Sequence, residues 1–373
     1  MRRLGIAVVL ILSAVGCAAN AAAPKQQPIN HVGLATRVFH PSAPRNWRGA
    51  QEQDLRCTIW YPAADTAVEV KQTIGPPDAP LFESGMASPQ AAFAPSLSPF
   101  PLILLSHGSG GSSEQMAWLG TALAKAGYIA VAVDHPGNNS HEPYTPEGFA
   151  LWWERATDLS EVLDGMLADK EFARHIDDSR IAAAGYSIGG FTVLELAGAQ
   201  TDINEFFDLC GTKTDTPRPD VDTTICHIPE MRTMGSVDDI LKAVRKTSRE
   251  SLARSGESYL DPRIKAVFGI APALGFTFTE DSLHAIQLPV EIVAGSADRI
   301  APPRENADYI RSYIHGARET VLPKVTHYTF LDTCTAEGKQ KLEAYCTDVV
   351  DRDTIHTQVS AQAIKFFNRA LRM

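Results

Sequence analysis

One serine stands where a hydroxyl can become a nucleophile. Ala182-Ala183-Ala184-Gly185-Tyr186-Ser187-Ile188-Gly189-Gly190 is a short apolar run that breaks at a serine with glycine two residues to either side. A strand turning this sharply into a helix strains the serine backbone, and strand and helix then approach too closely for a Cβ at the flanking positions. The hydroxyl is left exposed at the carboxyl edge of a sheet. An alcohol is a poor nucleophile at neutral pH and needs a base within hydrogen-bond reach, itself oriented by a carboxylate. With this kind of turn the acid and then the histidine follow the serine along the chain. Asp298 ends a loop after the strand at 290–294, and His327 comes 29 residues later, in the loop after 319–322. Asp134 also follows a strand but precedes the serine, while His315 and His356 fall on helical stretches. Ser187, Asp298 and His327 are therefore the candidate catalytic set.

Acyl transfer also needs donors for the developing oxyanion. The backbone N–H of Ile188, next after the nucleophile, is one. The second is expected from His107-Gly108-Ser109-Gly110-Gly111, the loop after the strand at 101–106. There the amide of Ser109 is the first choice and Gly110 the fallback; each such donor stabilises the transition state by ~3 kcal/mol. His107 reads as a residue that fixes this loop. The missing Gly-Lys-Ser/Thr ending excludes a phosphate loop, and no CxxC or HxxxH spacing calls for a metal. No cofactor is expected.

These residues need a scaffold that brings several strand ends to one edge. Apolar strands are predicted at 55–62, 101–106, 129–134, 181–186, 265–270, 290–294 and 319–322. Helical patterns lie at about 115–126, 151–172, 189–199, 304–315 and 354–371. Alternation of continuous apolar strands with helices predicts an α/β architecture with a mostly parallel central sheet and helices on both faces. Residues 201–262 interrupt the rhythm with two cysteines, prolines and a short amphipathic helix at 237–252, and are expected to form a cap-like insertion over the strand ends. Residues 63–99 read as a second long, Pro-rich loop.

The chain has 373 residues and a formal net charge of −10, without a Lys/Arg block, so nucleic acid is not an expected partner. A basic start and an apolar run through Val15-Gly16 predict an export signal over residues 1–21, with Ala19-Asn20-Ala21 as the cleavage site. A lipoprotein-type site before Cys17 competes with it, and only that route would tie the chain to a membrane. Residues 22–30 then form a linker and 31–373 the domain. Export to the periplasm or beyond agrees with the cysteines. Cys210–Cys226 and Cys334–Cys346 are predicted as disulfides, and Cys57, inside a strand, as a buried free thiol. Cys334–Cys346 would hold the loop after His327 in register.

With these residues in hand, the sequence resembles an α/β-hydrolase, and more narrowly the dienelactone-hydrolase-like and platelet-activating-factor-acetylhydrolase-like branch. The resemblance rests on Trp60-Tyr61-Pro62, Pro101–Gly111, Gly127–His135, Gly185–Gly190, Asp298 and Thr326-His327-Tyr328. It implies an α/β-hydrolase fold and a Ser187/Asp298/His327 triad with an oxyanion hole at Ser109 and Ile188. The implied activity is hydrolysis of a small-molecule carboxylic ester without metal or cofactor. True dienelactone hydrolases use a cysteine where this chain has Ser187, and the 201–262 insertion has no counterpart in that pattern. Two other functions use the same residues differently: an amidase or peptidase with the same triad, and a non-catalytic envelope lipoprotein on a hydrolase fold.

Overall fold

The computed structural model describes residues 29–41, 43–210, 223–227 and 229–372. The expected export signal and Cys17 lie outside the described residues. Among the described residues there are eleven strands: β1 (His31–Phe39), β2 (Leu55–Ala63), β3 (Val70–Ile74), β4 (Phe82–Pro89), β5 (Phe100–Ser106), β6 (Ile129–Val133), β7 (Ile176–Tyr186), β8 (Ile264–Ile270), β9 (Val290–Gly295), β10 (Arg318–Leu322) and β11 (Thr333–Cys334). They form one sheet in the order β10-β9-β8-β7-β5-β6-β2-β1-β4-β11, with β3 beside β4. The strands from β10 to β6 run parallel, while β2 is antiparallel to both β6 and β1.

Strand alternation explains why both faces must be covered. Leu102 and Leu104 of β5, with Ile129, Val131 and Val133 of β6, enter one apolar cluster. Their sequence neighbours Ile103, Leu105, Ala130 and Ala132 enter the other. A strand apolar at every position cannot leave either face in water. Helices Glu154–Ala168 and Ile188–Leu196 contribute to the first cluster, and helices Ala117–Lys125 and Arg352–Ala370 to the second.

All seven expected strands are present, and the helices agree to within a few residues. The stretch at 237–252 is broken at Ser248 into helices Val237–Thr247 and Arg249–Ala253. The expectation of a loop over 63–99 is corrected: this segment supplies β3 and β4. The sequence also did not announce β1. β4 pairs with β1 and with β11, both distant in the chain, and its Gly85 sits at φ 88°, so local pattern is poor there.

β11 has an unusual place. It lies 11 residues after β10 along the chain yet pairs antiparallel with β4 at the far end of the sheet, Thr333 opposite Glu83 and Cys334 opposite Phe82. Nine strand spacings laid flat would cover roughly 43 Å at ~4.8 Å each. The linking residues reach at most about 40 Å even fully extended, and they include a 3-10 turn at His327–Phe330. The sheet therefore has to coil, which carries its far edge round towards the loop bearing His327.

Candidate active site

Ser187 sits between the end of β7 and the helix Ile188–Leu196 with φ 58° and ψ −123°. A side-chain-bearing residue in such a conformation costs about 1–3 kcal/mol and persists only where the surroundings enforce it. Here its N–H donates to Ile270 O (2.9 Å) and its carbonyl accepts from Ala273 N (3.1 Å). The turn is also as tight as the sequence required. A Cβ on Gly185 would lie 2.0 Å from the Gly189 carbonyl oxygen, and one on Gly189 would lie 2.0 Å from that of Ser106.

His327 and Asp298 converge on this serine. His327 Nε2 is 2.8 Å from Ser187 Oγ, and its Nδ1 is 2.7 Å from Asp298 Oδ2. Asp298 lies in the turn that follows β9, where its Oδ1 accepts the N–H groups of Ile300 (2.9 Å) and Ala301 (2.8 Å). That leaves Oδ2 for the imidazole. An ionised carboxylate accepts only, so Nδ1 carries the proton and Nε2 presents its lone pair to the hydroxyl. The Tyr186 hydroxyl donates to the His327 carbonyl at 3.0 Å, fixing the base from the strand that precedes the serine. All three side chains are buried.

Beside them lies the Gly-rich loop after β5. The Gly110 amide already donates to Asn138 Oδ1 at 2.6 Å, so the fallback donor is occupied. Ile188 N is the first amide of its helix, a position without an intrahelical partner. Ser109 and Ile188 line the same cavity as Ser187 and His327. The loop is held by a segment the sequence did not single out. Ser140 N donates to Gly111 O (2.7 Å), and the Tyr144 hydroxyl donates to Gly110 O (2.9 Å).

Behind the loop is a buried polar network. His107 donates from Nδ1 to Gly108 O (2.6 Å) and accepts the His135 N–H at Nε2 (3.2 Å), the loop-fixing role expected of it. His135 bridges Ser106 Oγ (2.9 Å) and Asp158 Oδ2 (2.7 Å), and Asp158 also takes Arg45 and Arg48. Burial and the nearby Arg155 push His135 down to about 3, and burial together with Arg155 holds His107 well below the ordinary range. Both imidazoles are thus neutral and structural. Burial opposes ionisation of Asp158, yet Arg48 and Arg45 outweigh it and keep the carboxyl low. Nothing in the sequence distinguished these charged residues from surface ones.

The cavity measures about 580 Å³, within the range of sites that enclose small organic ligands. Among the described residues that line it there is no Asp, Glu, Lys or Arg. His141 also lines it, with Nε2 2.9 Å from Glu114. Asp134, the rejected rival acid, lies behind this pair with Oδ1 accepting Ser113 N (2.6 Å). Burial and Glu114 raise it to about 6. Glu114, Asp134 and His141 offer ligand atoms within 4.8 Å of one another. Arg56, 3.7 Å from each of the two carboxylates, and the Glu114–His141 bond make the group an ion-pair cluster as it stands.

His356 is buried and stacked on Trp118 with ring centroids 4.5 Å apart, and His315 is exposed, so neither reaches the site. Phe206, Ile225, Met231, Val237, Ile240 and Leu241 of the 201–262 segment all line the cavity. Both expected disulfides are present, Cys210–Cys226 and Cys334–Cys346, and Cys57 is a buried free thiol.

A serine held at a strand–helix turn above a mostly parallel sheet, with the acid after β9 and the histidine after β10, defines an α/β-hydrolase. The chain belongs to the family described as Serine aminopeptidase, S33 (Hydrolase_4), whose model matches residues 98–334. Among curated proteins it is similar to Cutinase est2 of Thermobifida alba, 34% identical over 103 residues that cover 27% of this chain and 31% of the cutinase. It is also similar to the putative esterase NocK of Nocardia uniformis subsp. tsuyamanensis, 26% identical over 214 residues, 54% of each chain. The chain thus spans about a third of the length of that cutinase and about half of the putative esterase. A structure described as a ferulic acid esterase from Streptomyces cinnamoneus superposes with a TM-score of 0.61 at 21% identity, covering 94% of this chain and 92% of that one. That likeness concerns the fold.

Proposed function

We propose that the chain is an exported serine hydrolase that cleaves carboxylic esters through an acyl-enzyme on Ser187. The observation that carries this reading is the continuous path from Asp298 Oδ2 through the imidazole of His327 to Ser187 Oγ, with bonds of 2.7 and 2.8 Å. His327 Nε2 takes the serine proton as Oγ attacks the ester carbonyl. The oxyanion is received by the amides of Ser109 and Ile188. The imidazolium, stabilised by Asp298, then gives its proton to the departing alcohol, and water repeats the sequence on the acyl-enzyme. Water is the one co-reactant these steps call for.

The family description raises amide cleavage as the second reading. An aminopeptidase has to hold a free α-ammonium, and a desolvated cation needs a carboxylate partner. The described lining contains none, which favours esters, as do the cutinases and the putative esterase among the relatives. Within the α/β-hydrolases, the dienelactone-hydrolase-like and platelet-activating-factor-acetylhydrolase-like branch is proposed on Trp60-Tyr61-Pro62 and the Pro101–Gly111 loop. Export is proposed on the basic, apolar start and on two disulfides, which persist in oxidising compartments. Lipidation of Cys17 remains the alternative anchor.

Fluorophosphonate labelling tests the site first. Wild type should be modified on Ser187, and Ser187→Ala should be neither labelled nor active, with an unchanged thermal midpoint. A non-catalytic binding protein would stay unlabelled. A p-nitrophenyl ester beside the matching p-nitroanilide then separates esterase from amidase; faster anilide cleavage would overturn the ester assignment.

A further inference from the structure

The segment 63–99 enters the site that its sequence did not foretell. Its turn between β3 and β4 brings Ile74, Leu81 and Phe82 to the cavity around Ser187. The residues after His327 bring Tyr328, Leu331, Leu342 and Tyr345 to the same cavity. These two pieces form one body. Phe82 is paired with Cys334, Thr335 N donates to Leu81 O at 3.0 Å, and Gly338 lies so close that a Cβ there would meet Leu81 O at 2.1 Å. The rings of Tyr328 and Tyr345 are 4.7 Å apart, and Cys334–Cys346 closes the segment. A second apolar wall comes from the 201–262 cap, with Phe206, Val237, Ile240 and Leu241; Phe206 lies against Trp152 of the main body, their rings 5.0 Å apart.

The chemistry gives these two walls different roles. When the tetrahedral intermediate collapses, the departing oxygen must lie within about 2.6–3.2 Å of His327 Nε2 to receive its proton. Its substituent therefore emerges on the side of the His327 loop. The acyl carbon stays on Ser187 Oγ, and its substituent points away from that loop. Resting on the acyl-transfer reading above, we propose that the wall formed jointly by the Ile74–Phe82 turn and the Tyr328–Tyr345 segment is the alcohol subsite, and that the cap receives the acyl group. The preferred substrate is an uncharged ester with a bulky apolar alcohol. Both walls are apolar, and the described lining has no Asp, Glu, Lys or Arg to neutralise a charged substituent, while its His141 is already paired with Glu114.

Two substrate series separate the walls. Acetates of methanol, butanol and 2-naphthol vary the alcohol. p-Nitrophenyl esters from acetate to octanoate vary the acyl group over a constant alcohol. Leu342, half-buried on the first wall, should as Leu342→Ser lower the kcat/KM preference for 2-naphthyl over methyl acetate about tenfold, the scale of lost contacts in an apolar pocket. The octanoate-to-acetate ratio should stay within about twofold. Leu241→Ala on the cap should do the reverse, and Tyr345→Ala should repeat the Leu342 result by an independent route. The assignment is overturned if Leu342→Ser or Tyr345→Ala shifts the acyl ratio instead, or if neither ratio moves. Fluorophosphonate labelling accompanies every variant. Labelled protein with the wrong ratios defeats only the alcohol subsite, whereas wild type inert to all esters and unlabelled defeats the acyl-transfer reading itself.

Discussion

Replacing Asp298 by asparagine changes few atoms and should nearly abolish turnover, for a reason specific to its surroundings. The Oδ1 atom is held by two backbone N–H groups, from Ile300 and Ala301. An asparagine keeps those two bonds only by placing its carbonyl oxygen there, which turns its NH2 towards His327 Nδ1. The ring must then accept at Nδ1 and carry its proton on Nε2, the nitrogen that faces Ser187 Oγ at 2.8 Å. In that tautomer it has no lone pair for the serine proton. The opposite side-chain orientation would restore the tautomer but set an NH2 against two N–H donors, leaving buried donors unpaired at about 1–3 kcal/mol each. The expected loss in kcat is about 10⁴-fold, equivalent to about 5.5 kcal/mol of transition-state stabilisation. Steady-state hydrolysis of p-nitrophenyl acetate, with the thermal midpoint and fluorophosphonate labelling rate measured alongside, reads it out. A folded Asp298→Asn protein that keeps more than a tenth of wild-type kcat would refute the tautomer argument.

The cluster beside the cavity makes a second prediction. With its carboxyl raised to about 6 by burial and by Glu114, folded Asp134 holds a proton that the unfolded chain, at ~3.9, has already released. Its contribution is therefore favourable below about pH 4 and is lost as pH rises through about 6. Asp134→Asn should raise the thermal midpoint at pH 7 and leave it near wild type at pH 4. A variant less stable at pH 7 would show that Arg56 and His141, 3.7 and 3.8 Å away, compensate the buried charge. A third prediction concerns the wall after His327. The double substitution Cys334→Ser, Cys346→Ser opens a 12-residue crosslink and should cost ~3 kcal/mol of stability in the chain-entropy model. It should also lower kcat/KM for bulky alcohols more than for methyl acetate. Thermal melts and the alcohol series test both, and an unchanged midpoint would show that Arg352, bonded to Asp332 O and Tyr345 O, holds the segment unaided.

What was legible in the sequence was what depends on local chemistry. Ser187 needed glycines at 185 and 189, and Asp298 and His327 had to follow strands in a set order; the observed distances agree with that logic. The apolar β5 and β6 and the 181–186 half of β7 could be read because both of their faces are covered. β1 and β4 could not, because their burial is decided by strands and helices remote in the chain and their sequences mix Gly, Ser and charge. The network of Arg45, Arg48, Asp158 and His135 was invisible for a related reason. Each of these residue types is ordinarily solvated, and only the fold reveals that they are buried together. The cavity walls lie at the same limit, since Leu81 and Leu342 share one wall although 261 residues separate them in the chain.

The pairing of β11 with β4 ties the base to a strand some 250 residues earlier in the chain. Such remote contacts form late, because the entropy of closing a long loop is spent before the contacts repay it. During synthesis the serine turn can be complete, with β4 already made, before the chain that carries His327 and β11 has emerged. Hydrolytic competence would then arise in the last step of folding, after β4 and the chain beyond β10 have met. A cut in the exposed turn at residues 75–78 would act on the same join, silencing the site from a position that touches none of its three reacting residues.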